Sequence, residues 1–193
     1  MPMRDFWRMW PESIPSDTVD KIESICLNQP IVDRHLIGQK NISPHDVLDS
    51  MRNGIYREVD SIDFLNNLIL GYVNQVNEEV FRFDIEKLGP MTYTNYGKYD
   101  DKGGNHKCWH MDANFHNNLR LQKKLTVHIQ ISDTTECEGG DFLFHDVENP
   151  PKEELRRKGT VLVFPSYLKH KITKVTKGEY RNITGFVLGP AWV

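Results

Sequence analysis

The chain has 193 residues, enough for one domain with a substantial core. Its 38% hydrophobic and 26% charged content excludes a disordered chain, and a net charge of −3 excludes a global basic field directed at nucleic acid. No run approaches the roughly 18 apolar residues of a membrane span, and the stretch MPMRDFWRMWPESIP lacks the apolar centre of a secretory signal. Cys26, Cys108 and Cys137 lie at scattered positions, which argues for reduced thiols and a cytoplasmic setting.

The front half reads as mainly helical. SDTVDKIESICL opens at Ser16 and places Val19, Ile22 and Ile25 at helical spacing. SPHDVLDSMRNG has Ser43 before Pro44 and ends at Gly54, which predicts a short helix. SIDFLNNLILGYVNQVNEEVF carries the strongest helical signal, with Phe64, Leu65, Leu68, Ile69, Tyr72, Val73, Val76 and Val80 in one wide apolar stripe.

After Gly89-Pro90 the period changes to two, and MTYTNY, KLTVHIQIS, GGDFLFH, TVLVF, HKITKV and RNITGFVL read as strands. In KLTVHIQIS, Leu125, Val127, Ile129 and Ile131 face one way, and Thr126, His128 and Gln130 face the other. A face that is polar but uncharged suits the inner wall of a barrel holding a polar ligand. The expected fold is therefore α+β with a mainly β core: a jelly-roll, cupin-like barrel supported by N-terminal helices. A single domain spans 1–193, with 1–88 mostly helical support and 89–193 the barrel.

Within this frame HMD stands out. His110 and Asp112 are two apart, so on a strand both leave the same face, although such a pair alone is a common coincidence. His170 begins the strand that follows GTVLVFP, and a small barrel can bring all three together. Two histidines and a carboxylate on one triangular face make the facial triad of non-haem Fe(II) sites, with positions left open for other ligands. Arg181, on the last strand, is a candidate partner for a diacid through its guanidinium fork.

The blocks WHMD, KLTVHIQISD, ECEGGDFLFH and GTVLVFPSYLKHKITKVTKGEYRNITGFVLGPAW, in this order, resemble the 2-oxoglutarate/Fe(II)-dependent oxygenases. The resemblance is to their prolyl 4-hydroxylase-like branch, with its PKHD-type and phage-encoded members, and covers roughly residues 60–193. It implies a double-stranded β-helix. His110, Asp112 and His170 match the iron ligands, Arg181 the partner of the distal carboxylate of 2-oxoglutarate, and Tyr96 a tyrosine that often hydrogen-bonds the co-substrate. Gln130 falls near the buried end of the co-substrate, and Gly139 and Gly140 match paired glycines that serve tight turning and close packing.

The resemblance further implies Fe(II), 2-oxoglutarate and O2, with ascorbate stimulatory and succinate and CO2 as co-products. The expected reaction is hydroxylation of an unactivated C–H, with a peptidyl proline first among acceptors. A free amino acid or small molecule, a nucleobase, and a catalytically inactive binding module are the alternatives. The implied partner is a protein or peptide, with neither membrane nor nucleic acid, in the cytoplasm or the host cytoplasm for a phage-encoded chain.

The sequence departs from the family in two places. The family usually reads GERY where this chain reads GEYR, so an ungapped comparison places Tyr180 at the anchor position. A one-residue change in the turn TKGE, or a bulge, is expected to return Arg181 to the inner face, because the barrel otherwise lacks a cation for the diacid. Lys171 and Lys124 are the next candidates. The other departure, YDDKGGNHKC, is longer and more polar than the usual link and is expected to shape specificity.

Overall fold

The computed structural model describes residues 6–32, 51–52, 54–97, 106–113, 115 and 119–192. Two antiparallel sheets face each other. The larger contains β1 (Arg8–Trp10), β3 (Ile55–Glu58), β4 (Lys87–Gly97), β6 (Leu121–Gln130), β9 (Val161–Pro165) and β11 (Val175–Pro190), in the spatial order β1-β9-β6-β11-β4-β3. A short strand, β7 (Cys137–Gly139), pairs with the start of β11. The smaller sheet runs β2 (Met51–Arg52), β5 (His106–His110), β10 (His170–Ile172) and β8 (Phe142–Phe144). This is the jelly-roll barrel that the alternating runs predict, in the double-stranded β-helix form that the resemblance implies. The N-terminal region contributes strands as well as helices, because β1 and β3 close the two edges of the larger sheet.

The larger sheet owes its role to its two different faces. Leu125, Val127 and Ile129 of β6, Val161 and Val163 of β9, and Ile183 and Val187 of β11 bury one face under α1 (Ser16–Leu27) and α2 (Asp63–Val76). The helices supply Val19, Ile22 and Cys26, and Leu65, Ile69, Val73 and Val76. Phe64 and Ile25, counted in the expected stripes, are exposed. After Val76 the helix widens into a π-turn over Asn77–Phe81 and ends at Arg82 in the left-handed conformation.

The opposite face meets the smaller sheet. Leu162, Phe164, Tyr96 and Tyr180 pack there against Phe142, Phe144 and Ile172. The short α3 (Lys152–Leu155) caps the return to β9. The basic run KEELRRKG is taken up by structural pairs: Arg156 with Asp141, Arg157 with Glu12 and Lys158 with Asp20. The helix expected over Ser43–Gly54 lies largely outside the described residues, and at its end Met51–Arg52 form β2. His35, His45, His116 and the 98–105 part of the long polar link also lie outside them. Among the described residues no helix is long and apolar enough to cross a membrane.

The turn into the main part of β11 sets which residues face the barrel. Gly178 sits at φ +68°, and a Cβ there would lie 1.9 Å from the carbonyl oxygen of Glu136. Gly178→Ala combines left-handed strain with that clash, each of order 1–3 kcal/mol. It should lower the urea midpoint by at least about 1 kcal/mol of stability with an unchanged slope, whereas Gly71→Ala, with open space around the new methyl, should not lower it.

Candidate metal centre

His110 ends β5 and His170 opens β10, and the two are Cα partners across the ladder. That pairing sets their rings side by side, with centroids 4.2 Å apart. Asp112 follows β5, where its backbone N–H and that of Ala113 both donate to the carbonyl of Ser166, at 3.0 and 2.9 Å. The loop is thereby pinned to the end of β9. One donor atom from each of His110, Asp112 and His170 falls within 4.8 Å of the others. His110 Nε2 is 3.5 Å from Asp112 Oδ1, and His170 Nε2 is 3.4 Å from Oδ2.

The protonation pattern suits a cation between them. His110 Nδ1 donates to the Cys108 carbonyl and His170 Nδ1 to the Leu168 carbonyl, both at 2.8 Å. With each Nδ1 carrying its proton, each neutral ring turns a bare Nε2 lone pair inward. His110 Nε2 is buried with no hydrogen-bond partner. Burial lowers the pKa of both imidazoles, that of His170 to about 3, so both stay neutral. Burial opposes the ionised form of Asp112, but the charge of Lys107, with the contacts of His170 and His110, outweighs it and holds the carboxyl well below its usual range. Two neutral nitrogens and one carboxylate oxygen are the donor set of a divalent first-row metal, which fits this site.

Further contacts orient the carboxylate. Thr126 Oγ1 donates to Asp112 Oδ2 at 3.0 Å and lies 2.9 Å from Ser166 Oγ. Lys107 Nζ stands 3.7 Å from Asp112 Oδ1. Thr126 was legible as an inner-wall residue but not as a partner of the aspartate. Ser166 and Lys107 carried no such signal.

On one side of the triad the chamber wall is polar and neutral. Thr126, His128 and Gln130 pair across the ladder with Phe186, Thr184 and Asn182. Tyr180 reaches in from the same face, with its hydroxyl 2.9 Å from His128 Nε2. Burial lowers the His128 pKa to about 4 and raises that of Tyr180, so both are neutral. Gln130 Nε2 donates to Ser132, while Gln130 Oε1 and Asn182 Oδ1 are buried without partners. Tyr96, the Cα partner of Tyr180, lies in the same cluster with ring centroids 6.2 Å apart. Gly140, at φ +70°, leaves room for the Tyr180 ring: a Cβ there would meet Tyr180 Cγ at 3.0 Å.

Arg181 requires a correction. The β11–β4 register is continuous from Glu179 to Gly185, so no bulge turns Arg181 inward. The irregularity near Val175 and Lys177 comes earlier and leaves Tyr180 on the chamber face. Arg181 faces the helix layer, where it pairs with Glu23 of α1 at 2.9 Å and with Glu136 and Glu179. Tyr93 donates to the same Glu23 at 2.8 Å. The other two candidate cations also point elsewhere: Lys171 lies over Trp109 and Lys124 over Trp192.

This is a double-stranded β-helix protein whose chamber carries a donor set for one divalent ion. The chain belongs to the 2OG-Fe(II) oxygenase superfamily, whose family profile matches residues 91–188, just over half of its length. Among solved structures it is similar to a prolyl-4-hydroxylase from Pseudomonas putida, with 16% identity, TM-score 0.63, and 97% of this chain and 94% of that one covered. It is also similar to a viral collagen prolyl hydroxylase from Paramecium bursaria Chlorella virus-1 in its 2OG complex, with 12% identity, TM-score 0.69, and 96% and 97% covered. HygX from Streptomyces hygroscopicus, with nickel and 2-oxoglutarate bound, gives 15% identity, TM-score 0.63, and 97% and 84% covered. At these identities the structures speak for the fold alone. Comparison with curated protein sequences gave no match.

The buried neutral histidines make the metal-free protein acid-sensitive. Folded-state pKa values of about 3 for His170 and about 4 for His128 lie below the unfolded value of roughly 6.5. The unfolded chain therefore takes up more protons below that value, and stability falls as pH drops from about 6.5. The slope approaches about 1.4 kcal/mol per pH unit for each such histidine. Urea titrations of metal-free protein at pH 7.5, 6.0 and 5.0 should show this loss, and His170→Gln should make it shallower.

Proposed function

We propose that this protein is a 2-oxoglutarate- and Fe(II)-dependent dioxygenase that hydroxylates an unactivated C–H of a peptidyl proline. The observation that carries the reading is the cluster of half-buried His110 with buried Asp112 and His170, the Nε2 atoms of both histidines lying beside one ionised carboxylate. These three residues would hold the iron. When bound, Fe(II) with 2-oxoglutarate and O2 supplies an oxidative decarboxylation, yielding succinate and CO2, coupled to hydroxylation; ascorbate would sustain turnover.

The chain's own residues bind and orient. Thr126 and Lys107 fix Asp112. Tyr96 and Gln130, joined by His128, Tyr180 and Asn182, take the buried end of 2-oxoglutarate. Turning the Asn182 amide by 180° presents its N–H2 group, and several neutral donors can stabilise a carboxylate without a cation. Arg181 serves instead to hold α1 on the sheet through Glu23. No protein base is assigned, because this oxidative chemistry needs none.

A peptide acceptor is supported by the rim. Met111, Phe115, Leu119 and Tyr167 are exposed, and each lies within seven residues of a triad ligand along the chain. Such concentrated apolar exposure marks a surface for another molecule.

Mn(II) with 2-oxoglutarate at a hundredfold excess should stabilise by about 2.7 kcal/mol, a rise of roughly 5–10 °C in Tm. Asp112→Ala should remove the rise, and alanine at His110, Asp112 or His170 should abolish succinate formation. Absence of any rise in the wild type would overturn the reading. Arg181→Ala should cost roughly 1.5–3 kcal/mol of stability, as for hydrogen bonds to charged groups, with 2-oxoglutarate affinity unchanged. Tyr180→Phe should weaken that affinity in a calorimetric titration of the Mn(II) form; the opposite pair of results would return the anchor to Arg181.

A further inference from the structure

The deep end of the chamber holds unmatched acceptors. Gln130 and Asn182 are Cα partners across β6 and β11, and both are 1% exposed. Gln130 Nε2 donates to the carbonyl and to the hydroxyl of Ser132, at 2.9 and 3.0 Å, which fixes the amide. A half-turn would set Oε1 against the Ser132 carbonyl. Gln130 Oε1 is therefore a fixed acceptor, and it is buried without a partner. Asn182 Nδ2 donates to Thr184 Oγ1 at 2.9 Å and lies 3.3 Å from His128 Nδ1, and its Oδ1 is likewise buried without a partner.

The same contacts leave one donor. With Nδ1 of His128 accepting from Asn182, the neutral ring carries its proton on Nε2 and donates to the Tyr180 oxygen, 2.9 Å away. The Tyr180 O–H is then free to donate to a ligand. Among the described residues no lysine or arginine bonds to Tyr180, His128, Gln130 or Asn182. The charge of Arg156 is felt at Tyr180, but that guanidinium is taken by Asp141 at 3.0 Å and by the Cys137 carbonyl at 2.7 Å.

These groups are within reach of a 2-oxo acid bound at the metal. Thr126, which donates to Asp112, is followed on the same face of β6 by His128 and Gln130, at steps of about 7 Å. The Phe142 ring contacts both His128 and His170, with centroids 5.4 and 5.2 Å from theirs. One donor and two acceptors suit a primary amide, which offers both N–H and C=O. A carboxylate offers acceptors alone. It has to turn the Asn182 amide, and it still meets Gln130 Oε1 with no proton between them.

We propose that the chamber reads the far end of the co-substrate through hydrogen bonds and not through charge, and that it accepts a 2-oxo acid ending in a primary amide as readily as 2-oxoglutarate. This rests on the function proposed above and concerns which co-substrates the site admits. Gln130 is the residue that favours the amide, and Tyr180 serves both end groups.

Two inert probes test this without turnover: N-oxalylglycine, which ends in a carboxylate, and N-oxalylglycinamide, which ends in the amide. N-isobutyloxamate, of the same shape with an apolar end, is the control. Each is titrated calorimetrically into protein loaded with Mn(II). The amide should bind within about threefold of the acid or more tightly, and the control at least about tenfold more weakly than the amide. A site anchored by a cation would instead favour the acid by about thirtyfold or more. Gln130→Met should shift the ratio of the two affinities toward the acid by about threefold or more, whereas Tyr180→Phe should weaken both and leave the ratio within about threefold. The wild-type comparison does not depend on either variant folding. A larger than threefold preference of the wild type for the acid, a control within about tenfold of the amide, or an unmoved ratio in folded Gln130→Met overturns the proposal. Binding of 2-oxoglutarate with rejection of the amide sinks this proposal alone. Failure of the Mn(II) form to bind 2-oxoglutarate or any probe would count against the function itself.

Discussion

The structure turns on one buried carboxylate. Asp112 is 6% exposed and ionised, in a chamber whose imidazoles are neutral. Burying such a charge costs several kcal/mol unless other groups answer it. The groups that answer it are the Thr126 hydroxyl of β6 and the Lys107 ammonium of β5, while the Ser166 carbonyl after β9 holds the Asp112 backbone and His110 and His170 stand beside it from β5 and β10. These groups come from both sheets. Closure of the two sheets over one another is what makes the charge tolerable, and the same closure aligns the three donor atoms.

A chamber with polar walls cannot hold a domain together by itself, and the other face of the larger sheet does that work. Leu125, Val127 and Ile129 are fully buried under α1 and α2, while their neighbours Thr126, His128 and Gln130 are buried on the chamber side. Strict alternation along one strand thus separates stability from chemistry. This separation was legible in the sequence, because period-two patterning reports which residues share a face whatever the fold. Alternation put His110 and Asp112 on one face, while His170 was placed with them by the strand it opens and by the family resemblance.

Patterning failed where the backbone breaks period. A bulge costs one residue of register and leaves no compositional mark in this chain. Lys107 carried no signal in the sequence, and Lys124, named there as a candidate cation, lies over Trp192. Arg181 was misread for the opposite reason. A bulge was expected there to satisfy an electrostatic need, yet β11 and β4 stay in register through that region. The turn at Gly178 delivers Tyr180 inward, and Glu23, distant in sequence, gives Arg181 its partner on the helix side. Long-range pairing of that kind is invisible to local patterning.

The electrostatic layout that results is the reverse of the one anticipated. The expectation placed a fixed cation at the deep end and left the triad to the metal. The structure has neutral donors around His128 and Tyr180, and the Lys107 ammonium beside Asp112. Neutral donors bind through geometry: each hydrogen bond is directional, and the pocket gains little from a charge that arrives misaligned. An ammonium group acts through space and tolerates a range of positions. In the proposed function, the ligand held by donors would be the one whose pose must not vary. The placement of those donors and of Lys107 follows from where a bulge and one glycine turn set the parity of their strands.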